Sequence, residues 1–300
     1  MPKIVVIGSI NMDLVALCAR FPAPGETLIG ERFFTSHGGK GANQAVAARR
    51  LGAEVSFIGR VGDDDFGREL LAGLQQEGVN TRHVAVTPGV ASGVASITVS
   101  GGENAIVVVP GANHVLSPDD VRQAEAEIAS ADVLLIQLEI PLETVAEVAR
   151  LAERHGVPLI LNPAPAQALP VELLARVAYL TPNQHELMQL LGDTTVSGLE
   201  SLPVSLAGKV VLTQGAEGAA YADADGRLRH QPGLAVDVVD STGAGDTFNA
   251  ALAVFLGLGI EVALKRAVAA GALAVTQPGA RGGMPTAVQL DAFLVGSGQR

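Results

Sequence analysis

Seven residues in the C-terminal part of the chain, Asp240-Ser241-Thr242-Gly243-Ala244-Gly245-Asp246, combine small and glycine residues with two carboxylates. Directly after them, Thr247-Phe248-Asn249-Ala250-Ala251-Leu252-Ala253 reads as the body of a helix. Residues without bulk let a backbone approach a ligand. The first N–H groups of a helix have no partner within it and can hold phosphate oxygens. A carboxylate at Asp246, on that first turn, would repel such a phosphate. It becomes useful if it takes the proton of a hydroxyl that attacks the phosphorus, so the pattern points to phosphoryl transfer. The competing reading is a plain helix cap, because an acidic residue at a helix start is stabilising without any ligand.

A second run, Gly38-Gly39-Lys40-Gly41-Ala42-Asn43, is followed at set distances by Ala45, Gly52 and Gly62. Together the two runs resemble the paired signatures of the ribokinase-like (PfkB-type) carbohydrate kinases. Asn11-Met12-Asp13, Gln137-Leu138-Glu139, Asn162-Pro163-Ala164-Pro165, Thr181-Pro182-Asn183-Gln184-His185-Glu186 and Thr213-Gln214-Gly215-Ala216-Glu217-Gly218 also fall in that family's order, so the resemblance spans nearly the whole chain.

The resemblance implies a fold, an α/β three-layer parallel sheet with helices on both faces and a small β lid. It also implies a reaction, transfer of the γ-phosphoryl group of MgATP to the 5-hydroxyl of D-ribose. Asp246 would be the base, and Gly243, Ala244, Gly245 and Asp246 would supply the anion hole. Asn11, Asp13, Gly39, Lys40, Asn43 and Glu139 would contact the pentose. Asn183 and Glu186 would work near magnesium and the triphosphate, largely through water, although at i and i+3 on a helix start they also read as a capping pair. Thr213, Gly215, Gly218 and Gly245 would bind the nucleotide. A potassium ion beside the anion hole would be held by Asp240 and Thr242 on one side and by Ala274, Gln277, Gly279 and Gly283 on the other. Two positions depart from the family. Gly283 stands where a serine is expected, and Val268 stands where a polar residue more often lies beside the adenine. Other acceptors within the family are deoxyribose, fructose, another ketose or a nucleoside. A rival of another class is a sugar-binding regulator that has lost catalysis, against which the retained Asp246 speaks.

Lys40 does not belong to a Walker loop, because Gly39-Lys40-Gly41 lacks the four-residue spacer and the following Ser or Thr. Gly8-Ser9-Ile10-Asn11 has no second or third glycine for a dinucleotide fingerprint. One cysteine and six scattered histidines give no ligand pair at zinc spacing.

The elements that must position these residues follow from the apolar pattern. Predicted strands cover 4–8, 55–58, 133–137, 159–161, 179–181 and 209–213, and predicted helices 41–51, 66–76, 118–129 (capped by Ser117) and 142–155 alternate with them. That alternation predicts a parallel sheet covered on both faces. Two stretches break the rhythm: 13–19 with 27–35, turned by Pro22-Ala23-Pro24-Gly25, and 93–99 with 104–110, turned by Ser100-Gly101-Gly102. They read as hairpins of a small sheet, about 13–35 and 93–110, projecting from a single domain over residues 1–300; an antiparallel edge extension of the main sheet is the alternative. Asn11 and Asp13 then follow the first strand, and Glu139 lies at the carboxyl end of another, where open parallel sheets bind ligands. Asp63-Asp64-Asp65 reads as a solvated turn and helix start.

The chain has 300 residues, 48% of them hydrophobic, enough for a sizeable core. Its formal charge of −11 argues against nucleic acid and anionic membrane surfaces as partners, since neither gains counterion release from so acidic a protein. ATP needs only a local cluster of N–H groups, a lysine and a metal. The single Cys18 cannot form an internal disulfide, and the N-terminal apolar run is too short for a signal segment, so a cytoplasmic protein is expected. The longest helical apolar run, 250–258, is closed by Gly257 and Gly259 before it reaches membrane length. Apolar positions on the hairpins, Val15, Leu17, Leu28, Ile97 and Val99, could pair with those of a second copy, so a homodimer through the β lid is expected.

Overall fold

The computed structural model describes residues 1–192, 198–199, 202–203, 206–223 and 225–297. The chain starts with β1 (Lys3–Ile7), then β2 (Asn11–Leu17), β3 (Arg32–Gly38), α1 (Lys40–Arg50), β4 (Glu54–Gly62), α2 (Asp65–Gln76), β5 (Asn80–Thr87), β6 (Gly93–Ser100) and β7 (Glu103–Val109). It continues through α3 (Pro118–Gln123), α4 (Glu125–Ala129), β8 (Val133–Ile136), α5 (Leu142–His155), β9 (Leu159–Leu161), α6 (Val171–Arg176), β10 (Tyr179–Leu180) and α7 (Gln184–Leu191). The last part holds β11 (Val211–Thr213), β12 (Gly218–Ala222), β13 (Leu228–Pro232), α8 (Ala244–Phe255), α9 (Ile260–Ala274) and α10 (Ala287–Gly296).

Alternation along β1 explains the layers. Ile4 and Val6 enter one core with residues of α1, α8 and α9, while Val5 and Ile7 enter a second core with residues of α3, α4 and α5. A strand buried on both faces belongs in the middle of a parallel sheet. The six-stranded sheet runs β10-β9-β8-β1-β4-β5, and every pairing in it is parallel. Single bridges from Leu180 to Val210 and from Asn183 to Thr213 place β11 beyond β10, where it begins the antiparallel trio β11-β12-β13. Strand order reverses at β1: the chain fills β4 and β5 on one side and returns to fill β8, β9 and β10 on the other. Loops diverge above such a reversal and leave a crevice at the carboxyl ends of β1 and β8.

A separate four-stranded sheet, β3-β2-β6-β7, grows from that same end. Strand β2 begins at Asn11, four residues after β1 ends, pairs antiparallel with β3 and parallel with β6; β6 pairs antiparallel with β7. The small sheet is thus distinct from the main one; its first hairpin reaches further than expected at the open end, to Asn11 and Gly38, but β2 stops at Leu17 and β3 starts only at Arg32, so 18–19 and 27–31 belong to a longer connection than the expected turn.

The pattern reading left out α6, β12, α9 and α10, and other details differ from it as well. The helix expected over 118–129 divides at Ala124, whose N–H bonds to the carbonyl of Val121 in a tighter turn, although Ser117 caps α3 as expected and forms a reciprocal box with Asp120. Strand β5 carried no apolar run because it is the exposed edge, where Arg82 and His83 are tolerated. Strand β13 escaped notice for the same reason. Among the described residues no helix is long and apolar enough to cross a membrane.

Candidate active site

The crevice is a cleft of about 810 Å³ lined by all the residues assigned to the sugar, with Thr242, Gly243 and Asp246 at one end. Three chain segments meet in it: the β1–β2 connection, the start of α1 and the carboxyl end of β8. Small residues make the meeting possible. A Cβ on Gly38 would lie 2.2 Å from a carboxylate oxygen of Asp13, and one on Gly39, whose φ is +86°, would lie 2.7 Å from the backbone nitrogen of Asn11.

Side chains that surround the cleft are oriented from behind. Asn113 donates from Nδ2 to Asn11 Oδ1 at 2.7 Å and accepts from the N–H of Ile10 at 2.9 Å, so Asn11 presents its N–H groups to the cleft. Ser9 Oγ donates to Glu139 Oε2, which also accepts from the backbone N–H of Lys40 at 3.2 Å. One carboxylate oxygen therefore ties β1, α1 and β8 together and leaves Oε1 for a ligand.

Helix α8 starts at Ala244 without a side-chain cap, after Gly243 at φ +79°. The N–H of Ala244 reaches the carbonyl of Ser241 at 3.3 Å, so the anion hole narrows to the amides of Gly245 and Asp246, for which no protein acceptor is present among the described residues. Asp246 itself is buried. Its Oδ2 accepts from Asn43 Nδ2 and its Oδ1 from Gln44 Nε2, each at 3.2 Å. Burial pushes the carboxyl up to about 6, against the pull of the nearby Lys40 ammonium and the two amide donors. Burial likewise raises Asp13 to about 6, with Arg281 opposing and Glu139 and Asp246 adding to the rise. Burial works against the charge of Lys40, yet Asp246, Glu139 and Glu186 hold its ammonium above the ordinary value.

Gln44, Gln137, Asn162, Thr181 and Asn249 were absent from the candidate set, and they form the hydrogen-bonded support of Asp246. Gln44 accepts from Gln137 Nε2 and donates to Asn162 Oδ1 at 3.2 Å as well as to Asp246. Asn162 donates to the carbonyl of Thr181, Thr181 donates to Asn249 Oδ1 at 2.6 Å, and Asn249 donates to the carbonyl of Gly245 at 2.9 Å. The chain of amides closes from the carboxylate to the helix turn that carries it. All five side chains are buried. Polar residues just past the apolar strands, at Gln137, Asn162 and Thr181, and within the apolar helices, at Gln44 and Asn249, were the available signal.

Asn183 and Glu186 form a reciprocal capping box on α7: Glu186 N–H donates to Asn183 Oδ1 at 2.8 Å and Asn183 N–H to Glu186 Oε2 at 2.9 Å. The box leaves Glu186 Oε1 open, and Lys40 acts on Glu186 through space. Thr213 bridges Asn183 and bonds to the carbonyl of Pro182, whereas Gly215 lies in the turn from β11 to β12 and Gly218 opens β12. These five residues gather at the neighbouring strand ends and do not line the sugar cleft. Asp240 clasps two loops, accepting from Thr242 N–H at 2.9 Å and Gly279 N–H at 2.8 Å. Burial opposes its charge, but those hydrogen bonds hold its carboxyl below the usual range.

Residues 1–287 match the pfkB family of carbohydrate kinases. The chain belongs to this family. It is similar to the ribokinase of Bacillus subtilis, with 46% identity over 98% of this chain and 100% of that protein. It is also similar to the deoxyribokinase of Salmonella typhimurium, with 36% identity over 97% of this chain and 98% of that one. The solved structure of Arabidopsis thaliana ribokinase complexed with ribose and ATP has a TM-score of 0.88 at 33% identity and covers 98% of each chain. The chain thus has the fold of the pfkB carbohydrate kinases and is a carbohydrate kinase.

The raised carboxyls have a consequence for stability. Asp13 and Asp246 bind a proton more tightly in the fold, at about 6, than the ordinary 3.8, so their ionised forms cost stability above pH 6. That cost is relieved as pH falls from 6 towards 4. The melting temperature of the ligand-free protein should rise by a few degrees, about 3 °C, between pH 7 and pH 5. The double variant Asp13→Asn/Asp246→Asn should show a flatter profile; scanning calorimetry of both would contradict the account if their profiles coincided.

Proposed function

We propose that this carbohydrate kinase transfers the γ-phosphoryl group of ATP to the 5-hydroxyl of D-ribose, giving D-ribose 5-phosphate and ADP. One observation carries the reading: a buried carboxylate and the open amides of Gly245 and Asp246 stand at the end of a cleft whose walls are Asn11, Asp13, Lys40, Asn43 and Glu139. Carboxylates accept hydroxyl protons and amides both donate and accept, which is what a polyhydroxylated sugar requires. Asp246 takes the proton of the attacking hydroxyl while the amides of α8 hold the charge on the phosphoryl group. Lys40, between Asp246, Glu139 and Glu186, bridges the sugar and nucleotide sides electrostatically. Asn183, Glu186, Thr213, Gly215 and Gly218 form the nucleotide side. The similarity to a ribokinase at 46% identity favours ribose over the deoxyribose of the relative at 36%.

Two ions fit the residues present. Glu186 keeps one carboxylate oxygen outside its capping box, suited to the water shell of a magnesium ion carried with ATP. For potassium, Pro278 has no N–H to give to the carbonyl of Ala274 at the end of α9, and the carboxylate oxygens of Asp240 hold the two loops together by accepting from their N–H groups. A Cβ at Gly283 would lie 2.1 Å from that Ala274 carbonyl, so glycine lets the two backbones close where a side chain would push them apart. Asp240, Thr242, Ala274, Gln277, Gly279 and Gly283 would hold the ion, which when bound would stiffen the loop that carries the anion hole.

The small sheet, residues of about 13–35 and 93–110, acts as a lid on the single kinase domain. Ala95, Ile97, Ile106 and Val108 face the sugar cleft, and a closed lid excludes water so that ATP is not merely hydrolysed. Exposed apolar residues on its edge strands, Phe33 at 66% and Val107 at 65%, would be covered by the lid of a second copy. Sedimentation velocity should therefore show a dimer that Val107→Lys weakens; a monomeric parent protein would remove the proposal.

A sugar panel assayed by coupled ADP release, first without monovalent activator and then with potassium or sodium, tests the reaction. D-Ribose should have the highest kcat/KM, ahead of deoxyribose, fructose and adenosine, because an Asp or Glu left without its hydroxyl costs about 1–3 kcal/mol. Potassium should raise the rate and sodium should do so poorly. Adenosine as best acceptor would refute the substrate, and equal responses to both ions would refute the ion site.

A further inference from the structure

The loop that follows α9 turns back against the anion hole. A Cβ on Gly243 would lie 2.4 Å from the carbonyl oxygen of Ala280, so the two backbones are in contact there. The next residue, Arg281, directs its side chain towards the base. Its Nε donates to Asn43 Oδ1 at 3.0 Å, and the same amide donates from Nδ2 to Asp246 Oδ2 at 3.2 Å. One amide therefore separates a guanidinium from the carboxylate. Asp13 and Asp246 both act on it through space. Its terminal nitrogens nevertheless have no acceptor among the described residues.

The position of Arg281 is built rather than incidental. Its carbonyl accepts from Arg50 Nη1 at 2.7 Å, and Arg50 is itself held by a two-point ion pair with Glu77, at 2.6 and 3.1 Å. The last turn of α1 and the end of α2 thus fix the loop. Glu77, Asp13 and Asp246 balance the charge of Arg281 through space, while the outer nitrogens, with no protein acceptor among the described residues, are left free to donate to an anionic ligand. Arg281 lines a cavity of about 1170 Å³ together with Asp13, Asp240 and Thr242, and Asp13 and Thr242 also line the sugar cleft. Asp13 and Thr242 thus line both spaces, whereas Lys40 and Asp246 line the cleft alone.

We propose that Arg281 is a catalytic residue whose terminal nitrogens hold the phosphoryl group during its transfer, sharing that charge with Lys40. This rests on the sugar kinase reading above. In the step, the bond between the γ-phosphorus and the oxygen that bridges it to the β-phosphate breaks, and ADP keeps that electron pair. The sugar oxygen forms the new bond to phosphorus and its proton passes to Asp246. Charge spread over the equatorial oxygens matches the two parallel N–H donors of a guanidinium.

The test compares the wild-type protein with Arg281→Gln, Arg281→Lys and Arg281→Ala on D-ribose and ATP. The Gln variant should lose about 10²-fold in kcat, with both KM values changing less than about threefold. The Lys variant should retain more of the rate than Gln. Added methylguanidinium should restore part of the rate to the Ala variant and none to wild type. An unchanged kcat in the Gln variant overturns the proposal, as does a change confined to the KM for the sugar, which would make Arg281 a sugar contact. A loss in all three variants that follows a fall in melting temperature, without rescue by methylguanidinium, would also overturn it in favour of a structural role. A wild-type protein that prefers another panel sugar refutes the ribose assignment alone, and the variants are then compared on that sugar.

Discussion

A carboxylate held out of water but kept hydrogen-bonded is the constraint on which the rest of the site depends. As the proposed base, Asp246 must be basic enough to take a hydroxyl proton, which burial achieves by raising its carboxyl to about 6, yet it must remain ionised at neutral pH. The amides of Asn43 and Gln44, with Lys40 close by, supply that second condition. Neither effect alone gives a useful base. A carboxylate in water has little appetite for a proton at pH 7, and one buried without donors would be permanently protonated.

Donors can serve this purpose only if they cannot turn around. An amide has one oxygen and one NH₂ group, so Gln44 must spend its nitrogen on Asp246 and its oxygen on Gln137, and Asn43 must spend its oxygen on Arg281. The order of donors and acceptors then continues through Asn162, Thr181 and Asn249 to the carbonyl of Gly245. The residues come from α1, β8, the ends of β9 and β10, α8 and the loop after α9. Such a network becomes possible where the strand order reverses at β1 and the connections on its two sides part. Fold and chemistry meet at that reversal: the sheet brings its strand ends together, and the polar residues there fix one another's orientation.

Much of this was legible in the sequence because it was local. The Gly-rich run before Asp246, the Gly38–Gly39 pair and the strand-ending Asn11, Asp13 and Glu139 each announce a backbone that approaches a ligand or a polar group at a strand's carboxyl end. The alternation of apolar runs with glycine-stopped helices gave the covered parallel sheet. What stayed hidden is relational. Nothing local shows that Gln44 and Gln137, 93 residues apart, share a hydrogen bond, or that Asn249 braces the turn at Gly245 from within α8. Arg281 lies in a glycine-rich segment whose neighbours drew notice as ion ligands, and only the folded loop brings it to Asn43. At Asn183 and Glu186 both local readings, capping pair and nucleotide contact, were available; the capping box is formed, and one carboxylate oxygen remains beyond it.

The central claim is that Asp246 performs the proton transfer rather than merely shaping the cleft. Single-turnover kinetics of Asp246→Asn, with D-ribose binding measured in parallel by calorimetry, separate the two. The account predicts that the rate of phosphoryl transfer falls by about 10²–10⁴-fold while ribose affinity changes by only a few-fold. Transfer at a rate close to that of the wild-type protein would contradict it.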